Sequence, residues 1–570
     1  MNEQVQGAGA PREEALPFFL LLLLLAVGLV FHLYAAGQGI LQALFSTLRM
    51  LLLEDSASRG DFQQHGADAA WWLYEVLRIA VPTVASWLLI KGYLHLIGSS
   101  GNWVWAWLNP HDVLILGDGP LAGHLAQEHR RQQPGKRVAL LTQTPDSPTH
   151  SALRRQGVKV FGGSALSPGN LRWLAAHKVA VVYVLADTDA DNLTILSALM
   201  AHYPEVKAST KAPPQTCLVH VSDDFLAARI AETDWHQRSG QRCQVRVFNA
   251  WKSSAKKLVS NDTHSPHKNT KLGHSPHVLM LGFSSMGRCV LEQLARLGHY
   301  PDGRKARLSI VAPDAATIQA QVHAIFPALE PAPNDVTPDN KPVIDVGFIT
   351  APVAGLKAQA LRECTPISVA YICCASLEEG ITAMHALLMA APEQTFPIVL
   401  CAQEDIAPEL RQAIVALDRC HVFDTLQHGL GLEQGEPMLN EFAEREAAQV
   451  HLYFSNKMPD GPVDRIPQEW LTAEEWQRES SRDAVRHLNV KQHYFSKLSA
   501  QDEKLRRLEH QRWCAERLLL GWRHAQTTDR DLRLHKDLQP FDKLDREVQE
   551  KDATIVTISD LLAQARPTRS

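Results

Sequence analysis

The longest runs of apolar residues lie near the N-terminus of the chain. Residues 16–36 contain no Asp, Glu, Lys or Arg, and about 20 such residues are enough to cross a bilayer core as a helix. The tail before them, residues 1–15, carries more acid than base and no clear cleavage site follows, so a retained span is favoured over a signal peptide. A second apolar run, 69–97, has Trp71 at one edge and Lys91 at the other, where membrane anchors commonly lie. The pattern predicts two transmembrane helices.

The segment between the spans, 37–68, predicts a short helix and an acidic loop. Residues 40–53 are apolar but too few to cross a bilayer, and Arg49 interrupts them, which favours an interfacial or re-entrant helix. The acidic balance of the loop favours an outside position, with both termini in the cytoplasm. Span, short helix and span are the outline of a two-span channel pore. Glu54 and Asp55 stand where a T-V-G-Y-G filter would follow, so a potassium cage is not indicated.

Two charged residues and a proline lie inside the second span. Glu75 and Arg78 are one helical turn apart and are expected to pair, either as interfacial anchors or as a functional intramembrane charge pair. Pro82 removes a helix hydrogen bond and predicts a kink.

Beyond the second span, short β-rich runs alternate with helical stretches, which predicts a doubly wound sheet. The first run breaks into a glycine turn that opens a helix. Gly117 would permit the tight turn, Gly119 the approach of a pyrophosphate to backbone N–H groups, and Ala122 or Gly123 the packing of helix on strand. An acid should end the second strand and hold a ribose hydroxyl, but Thr142 stands there, which weakens the case for NAD. Further strands are predicted at 138–141, 158–161, 179–185 and 217–221.

A second unit of the same kind begins with a strand at residue 277. Its turn holds Gly282 and Gly287, and Ser284 replaces the middle glycine, which argues against a bound pyrophosphate. Asp314 follows the second strand about where an acid would meet a ribose. Further strands are predicted at 308–312, 343–349, 369–374 and 398–402.

Composition narrows the function classes. A net charge of −5 gives no basic field, so nucleic acid is not an expected partner. The nine cysteines follow the apolar runs without paired spacing, which indicates a reduced, cytosolic soluble part. No catalytic motif occurs, so we predict no catalytic residues and no enzyme. The His-Ser-Pro-His pairs that begin at His264 and His274 suggest a metal, but a polar linker at 259–273 is favoured and no metal site is predicted.

From about residue 435 onward the pattern is helical and rich in charge and tryptophan. Amphipathic helices are predicted at 441–453 and 499–522, with an apolar stripe at 555–562. One face of the second helix carries Glu509, Arg512 and Glu516, and two aromatic residues lie nearby, Trp513 and Trp522. Aromatic walls beside charges suit a nucleotide-like ligand. In the alternative interpretation the tryptophans are core and the charges form a solvated face.

Three segments resemble known families. The glycine turn, Phe161-Gly-Gly-Ser and the run from Leu185 to Asn192 resemble the TrkA-N or RCK (regulator of potassium conductance) domain over 110–258, and 274–434 is similar. The phrase LEHQRWCAER with GWR resembles the RyR (ryanodine receptor) repeat over 435–562. The RCK resemblance implies a Rossmann sheet that binds NAD(H), another adenine nucleotide or ions and acts on a gate. It carries over Gly117, Gly119, Asp187 and Asn192 as binding positions.

The sequence therefore predicts a two-span α-helical membrane domain, two tandem α/β Rossmann domains and a small all-α domain. We expect a ligand-regulated ion channel or channel-like protein, a homo-oligomer and by resemblance a tetramer, in the cell inner membrane. Its partners would be the lipid bilayer and a nucleotide-type ligand such as NAD(H) or another adenine nucleotide. The alternative is a membrane-anchored nucleotide sensor or defence effector that does not conduct selectively. A nicotinamide-dependent oxidoreductase is a third, weaker interpretation, because the ribose acid and catalytic groups are missing.

Overall fold

The chain forms two compact units, Met1–Asn109 and Pro110–Ser570. The computed structural model describes residues 11–553 apart from 53–56, 97–102, 104–105, 109, 204–214, 224–225, 228–229, 231–232, 234, 236–241, 261, 332–340, 357–360, 363, 405, 431–440, 456–466 and 500. Two predicted features, the acidic residues after the short apolar helix and the C-terminal stripe at 555–562, lie outside the described residues.

The first unit is built from helices. Helix α1 (Pro11–Val30) continues into a π-helical turn at Phe31–Ala35, and α2 (Ile40–Arg49), α3 (Arg59–Gln64) and α4 (Trp71–Leu96) follow. The buried cluster of this unit is formed by side chains of the π-helical turn, the turn after α2, α3 and α4, and partly buried side chains of α1 pack against it. Many large apolar side chains of α2 and α4 face outward. An outward apolar face is what a helix presents to lipid or to another apolar surface.

One described helix is long and apolar enough to cross a membrane by length and composition, the stretch Trp71–Ile90. Leu21–Ala35 and Ile40–Leu52 are shorter apolar helices among the residues considered. The first predicted span, 16–36, lies in the helical stretch that begins with α1. One of the two predicted spans therefore meets this criterion, and the two-span arrangement stays a prediction.

The predicted pairing inside α4 is confirmed. Arg78 Nη2 lies 3.2 Å from Glu75 Oε2, one turn away on the same helix. The helix runs through Pro82 without interruption from Trp71 to Leu96. The pair neutralises two charges that would otherwise be costly within an apolar helix.

The second unit begins with a six-stranded parallel sheet in the order β3-β2-β1-β4-β5-β6. Its strands are β1 (Val113–Leu116), β2 (Val138–Thr142), β3 (Lys159–Gly162), β4 (Val181–Val184), β5 (Gln215–His220) and β6 (Cys243–Phe248). Its helices are α5 (Pro120–Gln132), α6 (Pro148–Arg155), α7 (Pro168–Trp173), α8 (Asp189–His202) and α9 (Ala250–Ser260). The strand order reverses between β1 and β4, and a doubly wound sheet binds ligands at the carboxyl ends beside that point.

A second parallel sheet follows in the order β12-β11-β10-β7-β8-β9, which is the same topology. Its strands are β7 (His277–Leu281), β8 (Arg307–Ala312), β9 (Asp345–Thr350), β10 (Val369–Ile372), β11 (Ile398–Ala402) and β12 (Cys420–Asp424). Its helices are α10 (Ser285–Leu297), α11 (Ala315–Ile325), α12 (Leu377–Ala390), α13 (Pro408–Val415) and α14 (Thr425–Leu430). Two Rossmann folds in tandem are thus present, and the sequence pattern missed the sixth strand of each.

The two Rossmann folds pack against each other through α9. This helix contacts α10 and α14, and Leu426 and Leu430 of α14 belong to the core of the first fold. The predicted linker is also packed, since Pro266 and His267 are buried and His264 stacks on His421 at 4.0 Å between ring centroids. The segment predicted as a polar linker therefore lies against the second fold through aromatic contacts.

Replacing Gly429 by alanine is expected to destabilise the second unit by about 1–3 kcal/mol, because overpacking forces backbone shifts. A Cβ atom at Gly429 would lie 2.4 Å from the backbone oxygen of Ala250, where α14 crosses α9. Urea unfolding followed by tryptophan fluorescence measures the effect. Gly135→Ala is the matched control, because a Cβ there meets nothing within 4 Å. Equal stability of the two variants would contradict the close crossing.

The C-terminal part is helical and shares a core with the second Rossmann fold. It contains α15 (Glu441–Phe454), α16 (Gln468–Thr472), α17 (Glu475–Tyr494), α18 (Glu503–Leu519) and α19 (Arg546–Lys551), with short strands at Arg523–His524 and Leu534–His535. Leu518, Leu519 and Trp522 lie in one buried cluster with Val290 and Leu294 of α10. The predicted separate domain is therefore anchored on the second fold.

Candidate functional sites

The first glycine turn approaches the end of β4 very closely. Gly117 has φ +131°, and a Cβ atom there would lie 2.5 Å from the Leu185 backbone. The Gly119 N–H donates to the Leu185 carbonyl oxygen at 3.1 Å. Gly119 therefore serves the contact between turn and sheet, and its N–H is not directed at a ligand as the sequence had suggested. Ala122 is buried against the sheet, whereas a Cβ at Gly123 meets only side chains at 3.7 Å or more, so Ala122 fills the close-packing position.

The acid beside the end of β2 comes from the glycine turn after β1 and not from β2 itself. The Asp118 carboxylate, inside the glycine turn, accepts hydrogen bonds from the Thr142 hydroxyl and from the Gln143 N–H at 2.9 Å. Thr142 is buried and Asp118 is half-buried. The strand end that lacks its own acid therefore has a carboxylate beside it.

The loop after β4 is held by its own side chains. Asn192 is fully buried, and its side chain accepts from the Ala186 N–H at 2.7 Å and donates to the Ala186 carbonyl. Its role in this structure is to shape the loop. Asp187 is exposed at the mouth of the crevice. Asp189, which sequence reasoning passed over, accepts from the backbone N–H of Ser222 at 2.9 Å and so joins the ends of β4 and β5.

The second crevice is filled by the chain itself. The Gln403 amide donates to the Ser284 hydroxyl at 2.8 Å and to the Cys374 carbonyl at 2.7 Å, across the switch point between β7 and β10. Gly282 has φ +78°, and Gly287 packs closely on the sheet, with a Cβ position 3.2 Å from Cys373. The glycines thus have packing roles.

Asp314 is exposed two residues beyond β8, at the predicted ribose position.

The second fold also touches the carboxyl edge of the first. Arg288, in the first turn of α10, donates through Nη2 to the Ser222 carbonyl oxygen at 2.8 Å. The Ser222 N–H also donates to Asp189 at the first crevice. A movement of Asp189 would therefore shift Ser222 and its hydrogen bond to Arg288 of the second fold.

The predicted charged face of α18 is neither solvated nor open. Arg512 lies 2.7 Å from Glu509 and 2.8 Å from Glu516, and Lys491 of α17 pairs with Glu509. All four side chains are almost completely buried. The structure corrects the expectation that Glu509, Arg512 and Glu516 face a ligand, because their charges are satisfied by one another.

One residue away on the same helix, Arg517 is enclosed by tryptophans. Its guanidinium carbon lies 4.3 Å from the ring centroid of Trp476, 5.5 Å from that of Trp522 and 5.6 Å from that of Trp513. Arg517 is 6% exposed, and its Nε and Nη1 have no hydrogen-bond partner among the described residues. An N–H group buried without a partner costs about 1–3 kcal/mol, and more for a charged group.

The surroundings of Arg517 favour an added negative charge. Burial lowers the pKa of Arg517; Glu516 opposes this, and the nearby cations Arg512, Arg296 and Arg530 add to it. Trp476, Trp513 and His535 are only partly buried, so the aromatic cluster reaches the surface. Two of the predicted ligand residues, Trp513 and Trp522, belong to this cluster. The spacing of Trp513 and Arg517, one helical turn, was the signal in the sequence.

A buried ionic cluster joins the helical part to both Rossmann folds. It consists of Lys252 and Lys256 of α9, Glu292 and Arg296 of α10, and Glu479 and Asp483 of α17. Lys252 lies 3.2 Å from Glu292, and Arg296 lies 3.4 Å from Asp483. Burial lowers the pKa of Lys256 to about 8, although Glu479 opposes this shift. A movement of α17 would therefore disturb charges in both folds.

Among the described residues, no group of three or more His, Cys, Asp or Glu side chains is placed to hold a metal. No disulfide joins any of the nine cysteines.

Comparison with known proteins gives structural neighbours only. No family model matches the chain, and no curated protein matches it. A structure of the GsuK channel bound to NAD is 12% identical with a TM-score of 0.35, covering 73% of this chain and 82% of that chain. A structure of GsuK bound to ADP is 13% identical with a TM-score of 0.35, covering 73% and 94%. The GsuK RCK domain is 12% identical with a TM-score of 0.36, covering 57% and 76%. Values of this size assign no function, and the Rossmann assignment rests on the strand order.

Proposed function

We propose that this chain is a subunit of a ligand-regulated membrane channel or channel-like protein whose soluble part binds a nucleotide-type metabolite. The observation that supports a bound ligand is the environment of Arg517. Its guanidinium is buried between tryptophan rings, and its Nε and Nη1 have no hydrogen-bond partner among the described residues. A phosphate would accept charge-assisted hydrogen bonds from it, and a base would stack on the partly exposed rings. The first Rossmann crevice is the second binding position, and the second crevice, filled by Gln403, is proposed not to bind.

The membrane role is supported by the apolar surface of the first unit. Leu41 and Phe45 of α2 and Trp72 and Val76 of α4 are exposed there. We propose two spans, 16–36 and 69–97, with both termini in the cytoplasm of a cell inner membrane. A pore between such subunits needs several copies in a closed ring, and we propose four. The gating energy would come from a difference in ligand affinity between the two pore states.

Regulation requires a path from ligand to pore. In the proposed path, a ligand at Arg517 acts on α17 and α18, and the buried ionic cluster passes the change to α9 and α10. The RCK-like folds would then act on the second span, which the sequence joins to β1 through a short segment. We propose no enzymatic activity for this arrangement.

The experiment is ion flux in liposomes that contain the purified full chain, with and without ADP or NAD. Ligand-dependent flux supports the channel. Binding without flux under any ligand would instead favour the alternative, a membrane-anchored sensor or effector. Turnover of NAD(P)H absorbance with a substrate would favour an oxidoreductase and overturn the proposal.

Replacing Arg517 by glutamine is expected to weaken ADP binding at this site about 10- to 100-fold, the value of one charge-assisted hydrogen bond. Trp476→Ala should weaken it as well, because the closest ring is lost. Isothermal titration calorimetry on the detergent-solubilised chain measures both. Arg546→Gln is the control, because that exposed side chain pairs only with neighbouring Glu550 among the described residues. Unchanged affinity in both variants would remove Arg517 as the binding residue.

A further inference from the structure

The glycine turn of the first Rossmann fold carries a carboxylate where most such turns present only backbone. Asp118 stands between Gly117 and Gly119, which are both held tightly against the end of β4. Its side chain consequently projects along the carboxyl edge of the sheet toward the neighbouring strand on the other side, β2. There it accepts from Thr142 and Gln143.

The strand register explains why the Asp118 side chain can reach from the turn after β1 to the end of β2. β1 and β2 are hydrogen-bonded neighbours, with Leu116 opposite Leu141, so the residues that follow each strand lie side by side. Gln143 N–H is shared between the two oxygens of Asp118, at 2.9 and 3.1 Å, and the Thr142 hydroxyl donates to Oδ1. A carboxylate has about four acceptor positions. The bonds from Thr142 and Gln143 leave acceptor capacity on Oδ2, and the residue is half exposed.

This position is where a nucleotide in a doubly wound fold places its ribose. A nucleotide that binds at the switch point of a doubly wound sheet places its ribose over the end of β2, which lies beside β1 on the side away from the switch point. The hydroxyls of a ribose are donors, and they need an acceptor at that point. Thr142 is buried and donates its hydroxyl proton to Asp118. The acceptor beside this strand end is therefore the Asp118 carboxylate.

We propose that Asp118 is the ribose-binding acid of the first crevice and selects nucleotides with free 2′- and 3′-hydroxyls. This inference rests on the proposed function, since it assumes that the crevice takes a nucleotide. Thr142 and Gln143 N–H orient the carboxylate, and the ribose hydroxyls donate to its remaining acceptor positions. A nucleotide that carries a 2′-phosphate is rejected, because two anionic groups would meet in the same place. The ligand class is a nucleotide with an unmodified ribose.

The rival interpretation is that Asp118 only staples the turn to β2. The two interpretations differ in whether a variant loses its preference for a ligand that has ribose hydroxyls over one that lacks them. Asp118→Asn removes the negative acceptor, whereas Thr142→Val removes the staple hydrogen bond and keeps the carboxylate. ADP and 2′,3′-dideoxy-ADP are the probes, titrated calorimetrically into the full detergent-solubilised chain. Every protein is measured with and without Arg517→Gln, so that binding at the tryptophan-lined site is subtracted.

The wild type should prefer ADP over the dideoxy analogue about 10- to 100-fold, the value of hydrogen bonds to a charged group. In Asp118→Asn the preference should fall to less than threefold. Thr142→Val should lower the preference less, because the carboxylate remains and the Gln143 N–H still holds it. If both variants lose affinity for ADP and dideoxy-ADP equally, Asp118 is only a staple and the inference fails. A wild type that binds ADP without preferring it over the analogue also overturns the inference but leaves the proposed function standing. If the wild type binds no ADP here, the inference fails, and the flux experiment judges the proposed function separately.

Discussion

Replacing Arg512 by leucine is expected to lower the free energy of unfolding by about 3–5 kcal/mol, because removal of one partner leaves buried charges uncompensated. Arg512 bonds both Glu509 and Glu516, and all three are at most 2% exposed. Burial alone would raise the pKa of Glu509, but Arg512 and Lys491 outweigh it and hold that pKa below its ordinary value. Without Arg512, Glu516 would keep only the Ser480 hydroxyl, at 2.9 Å, among its hydrogen bonds in the structure.

Urea unfolding followed by tryptophan fluorescence measures this loss. Arg546→Leu is the control: its side chain is 91% exposed and should change the stability by less than about 0.5 kcal/mol. The double variant Arg512→Leu with Glu516→Leu should recover part of the loss, because an apolar pair carries no unpaired charge. If Arg512→Leu is as stable as the control, the buried network does not hold the helical part together.

This comparison also separates the two interpretations of α18. Arg512 and Arg517 lie on one helix. Arg512 pairs with Glu509 and Glu516, whereas Nε and Nη1 of Arg517 have no hydrogen-bond partner among the described residues. Arg512→Leu should therefore lower stability, whereas Arg517→Gln should mainly lower ligand affinity.

The second unit is expected to unfold between about pH 6.5 and 4, because buried histidines are held neutral in the folded chain. Burial is the main cause that lowers the pKa to about 3 or 4 at His111, His129, His220, His267, His277 and His299. In the unfolded chain each ring has its ordinary pKa near 6.5. Since the folded pKa values are depressed, this contribution to stability is complete above about pH 6.5. It is lost as the pH falls toward the folded values.

At pH 5 the unfolded chain binds a proton on each ring and the folded chain does not, which is worth about 2 kcal/mol per ring. Six rings together amount to about 12 kcal/mol, comparable with the whole stability of a domain. Circular dichroism and tryptophan fluorescence against pH measure the transition. A fold that persists unchanged to pH 4 would contradict the expectation.

His267→Phe isolates one of these rings. The His267 ring is fully buried, contacts His493 edge to face at 5.2 Å, and has no hydrogen-bond partner on either nitrogen among the described residues. Phenylalanine should therefore stabilise the chain more at pH 5 than at pH 8, by about 2 kcal/mol. His524→Phe is the control, because that ring is exposed. An equal effect of His267→Phe at both pH values would remove His267 from the set.

How far the sequence predicted the Rossmann folds depends on the kind of residue involved. Val113–Leu116 is wholly apolar, and His277–Leu281 is apolar after its first residue. Both strands are short and followed by glycine turns, so local pattern was enough to place them. The sixth strands, Cys243–Phe248 and Cys420–Asp424, alternate with polar residues at the sheet edge and carry no glycine turn, and pattern alone missed them.

The sequence by itself determined the apolar runs, the two glycine turns with their strands, and the tryptophan-rich helix, because each depends on residues near one another in the chain. Only the tertiary structure decided which side chains are available to a ligand. Glu509, Arg512 and Glu516 looked free on their helix but are paired in the core, while Arg517 gains its closest aromatic wall, Trp476, from a different helix. Asp118 likewise reaches Thr142 only because β1 and β2 pair in register. Burial and pairing between distant segments are properties of packing, and local sequence does not encode them.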